Sequence, residues 1–214
     1  MNGPLVVKLG GSLLDWPPLP GRLATLLQGL RDRRPVLIVG GGPAADFVRT
    51  LDLVHGLGEP AAHALALHAL DLTAHALASM MPGLVVVDRL DLLESARASG
   101  RIPVLAPRRF LDDEDRDSTD PLPHDWSVTT DTIAARLAVR LDASCLLMLK
   151  SAPAPVPTTR SEAARLGLVD TAFEKTAASL GRVCYRNLRD DNASTVLLAP
   201  FPSTHSREPG PSSG

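Results

Sequence analysis

The chain has 214 residues, of which 44% are apolar and only 3% are aromatic, and its formal net charge is −2. This length is typical of one domain with a substantial core, and we predict a single domain over residues 1–199. The near balance of 22 basic and 24 acidic residues and the scarcity of aromatic rings argue against a nucleic-acid-binding surface.

Features of secreted, membrane and zinc-binding proteins are missing from the sequence. Cys145 and Cys184 each lie in a short apolar run without a Cys-x-x-Cys spacing, so we expect buried thiols. The N-terminus lacks a basic segment followed by an apolar stretch, and no uncharged apolar run reaches about 18 residues. We therefore expect a cytoplasmic protein that does not bind a membrane.

The first half of the chain alternates short apolar runs with patterns of helical spacing. The predicted strands are Leu5–Leu9, 35–39, Leu84–Val87 and Ile102–Leu105. The predicted helices are 21–31, 43–52, 60–80 and 89–99. Because the strands are apolar on both faces and alternate with helices, the pattern predicts an α/β protein with a parallel sheet.

The second half begins with an acidic cluster at 112–117, followed by two prolines. We predict an exposed loop over 108–125 and interpret its acids as solvated rather than cation-binding. Further along, we predict a helix over 129–142, a strand over 144–149 and a helix near 170–180. The proline-rich stretch 151–160 is incompatible with a helix or an inner strand. We also predict strands at 183–185 and 195–199 and a disordered tail over 200–214.

Lys8 lies inside the first predicted strand, directly before Gly10-Gly11-Ser12. A lysine there is desolvated unless an anion meets it. Glycines allow backbone N–H groups to converge on such an anion, so the pattern predicts a phosphate cradle beside a positive charge. The alternative is a lysine whose ammonium group reaches solvent next to an ordinary tight turn.

A second glycine run, Gly40-Gly41-Gly42, follows the second predicted strand. Because the carboxyl ends of parallel strands meet at one sheet edge, we expect one run to bind a donor phosphate and the other an acceptor. Gly40-x-Gly42-x-x-Ala45 also matches the dinucleotide-binding fingerprint. That fingerprint requires an acid at the end of the next strand, whereas residues 60–80 are predicted to be helical.

Asp131 lies in the first turn of the predicted 129–142 helix, where an acid complements the helix dipole and where Thr129 and Thr130 are candidate caps. Lys150 ends a predicted strand, much as Lys8 does. A carboxylate between the two lysines would hold both ammonium groups, which would then stabilise a phosphoryl group in transfer.

His68, Asp71 and His75 share one face of the predicted 60–80 helix. Helices that bind metals usually place two histidines four residues apart. We therefore interpret this face as a polar outer surface and expect no protein-held metal site.

Three motifs in this order resemble the amino acid kinase family, which includes acetylglutamate, aspartate and uridylate kinases. They are Val6-Val7-Lys8-Leu9-Gly10-Gly11-Ser12, Gly40-Gly41-Gly42 and Thr129-Thr130-Asp131-x-x-Ala134-Ala135. The resemblance implies a three-layer αβα sandwich with a mainly parallel central sheet. It also implies transfer of a phosphoryl group from ATP, with Mg²⁺, to a small-molecule acceptor, and assembly as a homodimer or a larger ring.

The same resemblance implies a role for individual residues. Lys8 would stabilise the transferring phosphoryl group, Asp131 would organise the lysines, and Lys150 would take over a lysine role. The backbone N–H groups of Gly10, Gly11, Gly41 and Gly42 would bind phosphate oxygens, with Ser12 and Thr130 on the nucleotide side.

A more specific resemblance is to the small kinases of methanofuran biosynthesis, which phosphorylate an aminomethylfuran phosphate, and to relatives in bacterial one-carbon pathways. Four segments carry it: Gly40-Gly41-Gly42 with Phe47-Val48-Arg49 and Asp52; Ala62-His63-x-Leu65-Ala66 with Asp71; His124-x-Trp126-x-Val128-Thr129-Thr130-Asp131; and Val169-Asp170-x-x-Phe173 with Asn187. This resemblance implies that Arg49, His63 and Asp71 lie near the acceptor pocket.

The chain departs from the family after Lys150. Family members continue with a Thr-Asp-x-Asp-Gly-type segment and a longer stretch that helps to hold the nucleotide, whereas this chain has Ser151-Ala152-Pro153-Ala154-Pro155. Two functions therefore stay open. One is an ATP- and magnesium-dependent kinase of a small anionic metabolite, such as a furan-type precursor of a one-carbon cofactor. The other is a non-catalytic nucleotide- or anion-binding protein for storage, sensing or assembly.

Overall fold

A computed structural model describes residues 3–200 of the chain. Eight strands form one sheet in the order β3-β4-β2-β1-β5-β7-β8-β6. The strands are β1 (Leu5–Leu9), β2 (Val36–Val39), β3 (Leu84–Val87), β4 (Ile102–Leu105), β5 (Cys145–Lys150), β6 (Thr158–Thr159), β7 (Val183–Asn187) and β8 (Val196–Ala199). Neighbouring strands pair in parallel except β7 and β8, which pair antiparallel.

Eight α-helices accompany the sheet within the described residues. They are α1 (Leu19–Gln28), α2 (Gly42–His55), α3 (Glu59–Met80), α4 (Leu93–Ala98), α5 (Pro107–Asp117), α6 (Thr130–Arg140), α7 (Arg160–Arg165) and α8 (Phe173–Thr176). Short 3-10 helices lie at Gly11–Leu13, Arg31–Arg33 and Leu90–Leu92. None of the helices between residues 3 and 200 is long and apolar enough to cross a membrane.

Two apolar layers pack on the two faces of the sheet, which confirms the predicted three-layer αβα sandwich with a mainly parallel sheet. Side chains of β1 alternate between the layers, because successive residues of a strand point to opposite faces. Leu5, Val7 and Leu9 pack in the layer that contains α1. Val6 packs in the layer that contains α6, so Lys8 faces α6 as well. Cys145 and Cys184 are buried free thiols, as expected.

The predicted loop over 108–125 is wrong at its start, where residues 107–117 form α5. Pro107 suits the first turn of a helix, and Phe110 and Leu111 are buried in the core layer of α6. The density of charge in 112–117 concealed this amphipathic pattern, since a helix can be strongly acidic on one face and apolar on the other.

The C-terminal part also differs from the predicted elements. The helix near 170–180 is limited to the four residues of α8, and α7 was not predicted. The side chain of Thr159 accepts a hydrogen bond from the Glu162 N–H, which is the Thr-x-x-Glu signal of a helix start. As expected for a proline-rich stretch, 151–159 contributes only the edge strand β6, whereas the last residue of the predicted range, Arg160, already begins α7. The predicted tail falls outside the described residues from position 201 onward.

Candidate active site

The candidate site lies where β1, β2 and β5 end together at one edge of the sheet. The parallel register aligns Leu9 with Val39 on one side and with Leu149 on the other. The two glycine runs and Lys150 follow these positions, so the topology brings three distant parts of the sequence to one place. Such an edge is where open α/β sheets bind their ligands.

A carboxylate of α6 joins two lysines from different strands. The Lys8 Nζ lies 2.8 Å from Asp131 Oδ1, and the Lys150 Nζ lies 2.7 Å from Asp131 Oδ2. The side chains of Lys8 and Asp131 are only 6% and 7% exposed. Lys8 reaches α6 because it lies on the sheet face that α6 covers. The structure therefore brings together the three residues predicted to act as an electrostatic unit, which we call the Lys8–Asp131–Lys150 triad.

Burial and charge act in opposite directions within this triad. Burial disfavours the ionised form of Asp131, but the ammonium groups of Lys8 and Lys150 outweigh it and hold the pKa of the carboxyl below its usual value. Burial and the neighbouring Lys8 ammonium lower the pKa of Lys150 to about 8, against the attraction of Asp131. Two ammonium groups and one carboxylate leave a surplus positive charge, which an anion in the site would neutralise.

The choice of lysine here is a sequence signal that was missed. The chain contains three lysines and nineteen arginines, and two of the three lysines contact Asp131. A compact ammonium group can approach a carboxylate and a second anion at once, whereas a planar guanidinium favours fixed bidentate geometry. The two lysines on Asp131 therefore supply compact point charges in a chain whose other basic residues are nearly all arginine.

The two glycine turns pack backbone against backbone. A Cβ on Gly11 would lie 2.2 Å from the Gly42 nitrogen, and a Cβ on Gly40 would lie 2.5 Å from the Gly11 nitrogen. Gly42 has a φ of +48°, which favours glycine independently of the contact. The close approach of the turns thus explains these glycines in structural terms, and it places both turns beside Lys8.

One predicted role of the glycines is wrong. The Gly10 N–H donates to the Leu149 carbonyl at 2.8 Å and continues the sheet, so it is not directed at a ligand. Gly40 likewise donates to the Leu9 carbonyl at 2.8 Å. Gly11 and Gly42 begin helical segments and Gly41 precedes one, and N–H groups in such positions have no partner within the helix. The phosphate-donor role of these three N–H groups stays a prediction.

We expect Gly11→Ala to disrupt this arrangement, because the new methyl group would overlap the Gly42 backbone nitrogen, which is not a flexible atom. The free energy of unfolding should fall by about 1–3 kcal/mol, as for other overpacked sites, and ligand binding should weaken with it. Gly21→Ala is the matched control, since a Cβ at this helical position meets nothing within 4 Å. Urea denaturation should show that Gly21→Ala is neutral or stabilising; equal losses in both variants would contradict the packing account.

A cavity of about 370 Å³ opens beside the triad between α2, α3 and the segment that leads into α6. The predicted site residues that line it are Lys8, Gly11, Ser12, Gly40, Gly41, Gly42, Arg49, His63 and Thr130. Asp131 and Lys150 are not among the lining residues; Asp131 contacts the lining residue Lys8, and Lys150 contacts Asp131. Apolar side chains of α3 and α6, including Leu70 and Ile133, form part of the wall.

Asp71, predicted near this cavity, is not among its lining residues. Its carboxylate instead accepts hydrogen bonds from the Arg108 backbone N–H at 3.2 Å and from the Arg108 Nε at 3.3 Å. The N–H groups in the first turn of a helix need such acceptors. Asp71 therefore fixes the start of α5 against α3, and its expected place in the acceptor pocket is corrected.

Trp126 lines the cavity, although the sequence motif that contains it predicts no role for it. Its Nε1–H donates to Asp52 Oδ2 at 3.2 Å, and the Arg49 guanidinium lies 4.9 Å from the centre of its ring. Arg49 also pairs with Asp46, at 2.6 Å. Asp52 and Arg49 belong to α2, so these contacts hold the segment before α6 against α2 and enclose the cavity. His63, which also lines the cavity, stacks on the ring of His124, with the two ring centroids 5.3 Å apart.

The segment after β5, where the chain departs from the family pattern, is tied to the first glycine turn. The hydroxyls of Ser12 and Ser151 lie 2.8 Å apart, and the Tyr185 hydroxyl donates to the Ala152 carbonyl at 2.9 Å.

Within residues 3–200, no group of three or more His, Cys, Asp or Glu side chains is placed to hold a metal ion. A Mg²⁺ ion here would need phosphate oxygens among its ligands.

Three comparisons bear on this arrangement. The sequence model of the amino acid kinase family matches residues 3–154. The chain is 30% identical over 139 residues to a [5-(aminomethyl)furan-3-yl]methyl phosphate kinase of Methanocaldococcus jannaschii. That match covers 64% of this chain and 61% of the relative's length.

Solved structures of low sequence identity share the fold. UMP kinase of Ureaplasma parvum superposes with a TM-score of 0.63 at 14% identity, over 92% of this chain and 99% of that one. Aspartate kinase of Synechocystis superposes with a TM-score of 0.62 at 17% identity, over 92% of this chain and 40% of that one. With the family model matching well over half of the sequence and the glycine turns and lysines in place, the chain belongs to the amino acid kinase family.

Proposed function

We propose that this protein is a kinase that transfers a phosphoryl group from ATP to a small anionic metabolite. The observation that carries the proposal is the Lys8–Asp131–Lys150 triad, buried where two glycine turns meet. Phosphoryl transfer depends on positioning and on stabilising negative charge, and this site concentrates positive charge and backbone donors at one point.

Each residue has a distinct role in this proposal. ATP supplies the phosphoryl group, and Mg²⁺ bound to its phosphates neutralises part of their charge. The N–H groups of Gly11, Gly41 and Gly42 bind phosphoryl oxygens. Lys8, which lines the acceptor cavity, stabilises the group in transfer. Lys150, which ends β5 next to Ser151, lies on the side proposed for the nucleotide, and Asp131 holds the two lysines apart and in place.

The state of Asp131 limits the chemistry of the acceptor. Its carboxyl has a lowered pKa and both of its oxygens face ammonium groups, so it is a poor base. An acceptor oxygen that is already anionic needs no base. We therefore propose that a phosphate oxygen of the acceptor attacks the γ-phosphorus. The bond to the bridging oxygen of ATP breaks, and the charge leaves with ADP.

The acceptor we propose is a furan-type phosphate, a precursor of a one-carbon cofactor. Support comes from the relative that is a kinase of [5-(aminomethyl)furan-3-yl]methyl phosphate. The cavity has the mixed lining that such a molecule requires: the cationic side chains of Lys8 and Arg49, the ring of Trp126, and apolar residues of α3.

The direct test is ³¹P NMR of the purified chain with Mg·ATP and [5-(aminomethyl)furan-3-yl]methyl phosphate. We expect ADP to form together with new phosphorus signals from the product. Mg·ATP that stays unchanged with this acceptor and with other small phosphates would contradict the proposal. A homodimer or larger ring and a cytoplasmic location remain predictions, and sedimentation velocity tests the first of them.

A non-catalytic binding protein is the second candidate. It is favoured by the segment after Lys150, which lacks the Asp-Gly that family members carry there. Calorimetry separates the two candidates when it is combined with the NMR assay. Saturable binding of Mg·ATP without turnover would favour the second candidate, and binding with turnover would favour the kinase.

The pH dependence should report the charge of Lys150. Since its pKa is lowered to about 8, the ammonium form is present below that pH and is lost as pH rises through it. We expect kcat/KM to fall above about pH 8, because the neutral amine cannot stabilise phosphate charge. Lys150→Arg should lower the maximum but move the alkaline fall to higher pH, since a guanidinium stays charged. A wild-type profile that is flat to about pH 10 would show that this charge is not required.

A further inference from the structure

Asp170 lies between α7 and α8, beyond the residues that the family model matches, yet it contacts the start of α6. Its Oδ2 accepts hydrogen bonds from the Thr129 N–H at 2.9 Å, the Thr129 hydroxyl at 2.7 Å and the Thr132 N–H at 3.1 Å. Its Oδ1 accepts from the Thr132 hydroxyl. Asp131 stands between Thr129 and Thr132 in the sequence, so one carboxylate holds the chain on both sides of the residue that organises the lysines.

These contacts replace an ordinary helix cap. Thr129 is the N-cap residue of α6, but its side chain makes no capping hydrogen bond within the helix. Both threonine hydroxyls are instead directed at Asp170, together with two backbone N–H groups that a helix start leaves unpaired. The first turn of α6 is thus fixed by a residue about forty positions away rather than by its own sequence.

The arrangement carries an electrostatic cost. Burial raises the pKa of Asp170, and the nearby charge of Asp131 raises it further, while hydrogen bonds from the two threonines oppose the shift. Within residues 3–200, no basic side chain forms an ion pair with Asp170. Its hydrogen bonds are therefore what offsets the cost of burying its charge. Two carboxylates held close together at one helix start indicate a geometric requirement that outweighs their repulsion.

We propose that Asp170 is a positioning residue, which fixes the first turn of α6 so that the Asp131 carboxylate lies between Lys8 and Lys150. The proposal deepens the proposed kinase function and relies on it for the kinetic readout. Because the N–H groups of Thr129 and Thr132 donate to Asp170, they are not available to a substrate. The phosphates of the proposed substrates are therefore bound by the glycine turns and the lysines.

The test compares Asp170→Ala and Asp170→Asn with the wild type in two measurements. NMR of protein labelled with ¹³C and ¹⁵N in lysine reports the ammonium groups, and the chain has three lysines. Lys175 is an internal reference, because it is exposed and pairs with Asp120 at the surface. In Asp170→Ala we expect the Lys8 and Lys150 signals to shift and the Lys175 signal to stay. We expect kcat to fall about 10- to 100-fold while the KM for the acceptor is unchanged.

Asp170→Asn keeps the shape of the side chain and one acceptor oxygen. It should therefore retain more activity than Asp170→Ala, and its Lys8 and Lys150 signals should shift less. Asp142→Asn is the matched control: the same chemical change at an exposed residue at the other end of α6, where asparagine tolerates the positive φ of 45°. It should alter neither measurement.

Unchanged Lys8 and Lys150 signals in a folded Asp170 variant would overturn the proposal, as would a rise in KM with kcat unchanged. If Asp170→Ala does not fold, the same criteria apply to Asp170→Asn. A wild type without phosphoryl transfer would contradict the proposed function, and the lysine signals would still decide the positioning role of Asp170.

Discussion

We expect Lys8→Ala to remove phosphoryl transfer almost completely and to leave the fold intact. Lys8 contributes a charge that we expect to act mainly in the transition state, and loss of such a group costs about 2.7–4 kcal/mol, or about 10²- to 10³-fold in kcat. The chain should still fold, because the substitution reduces the triad to a neutral Asp131–Lys150 pair at 2.7 Å. Steady-state kinetics with Mg·ATP and the furan phosphate measure the loss, and circular dichroism checks the fold.

Lys175→Ala provides the matched control for this result. Lys175 is one of the three lysines, but its side chain is 79% exposed. Exposed ion pairs contribute about 0–1 kcal/mol to stability, so we expect full activity and nearly unchanged stability. Lys8→Ala with normal kcat would show that Lys8 is not in the site.

Asp131→Ala has the largest expected effect on stability. It leaves the buried ammonium group of Lys8 and the partly buried one of Lys150 without their shared carboxylate. Removing one partner of a buried ion pair typically costs about 3–5 kcal/mol, because the remaining charge is neither paired nor hydrated. Urea denaturation near neutral pH measures this loss directly.

The pH dependence of that loss has a defined sign. In the variant, burial and repulsion from Lys8 still lower the pKa of Lys150, and the pKa falls further because the opposing attraction of Asp131 is gone. The unfolded chain binds the lysine proton more strongly than the folded one, so stability rises with pH between the two pKa values. The deficit of Asp131→Ala should therefore shrink as pH rises towards about 8, the pKa of Lys150 in the wild type, and stay constant above it. An exposed control, Asp112→Ala, should change stability by about 0.5 kcal/mol or less at any pH; a similar deficit in both variants would contradict the account.

The central strands and the triad were predictable because their signals are local or follow from topology. Apolar runs that end in glycine identify β1 and β2, and parallel strands align their carboxyl ends without further information. A lysine inside such a run requires an anionic partner, which made Asp131 a sensible candidate. The α5 helix was missed because its buried apolar side chains, Phe110 and Leu111, are outnumbered by charges.

The remaining errors concern partners that only the folded chain defines. The Gly10 N–H is used within the sheet because the parallel ladder continues one residue past Leu9 and takes the Leu149 carbonyl as its acceptor. Asp71 contacts Arg108 instead of the cavity, since its direction depends on where α5 packs. The hydrogen bonds of Asp170 join segments about forty residues apart, and no spacing rule predicts such a pair.

The central claim is that the two lysines on Asp131 are buried at this sheet edge in order to bind a phosphoryl group. The most direct measurement is a crystal structure of the protein with Mg²⁺ and adenylyl imidodiphosphate. We predict that the terminal phosphate lies within hydrogen-bonding distance of the Lys8 ammonium group and of the Gly11 and Gly42 N–H groups. A nucleotide bound elsewhere, with Lys8 still contacting only Asp131, would contradict the claim.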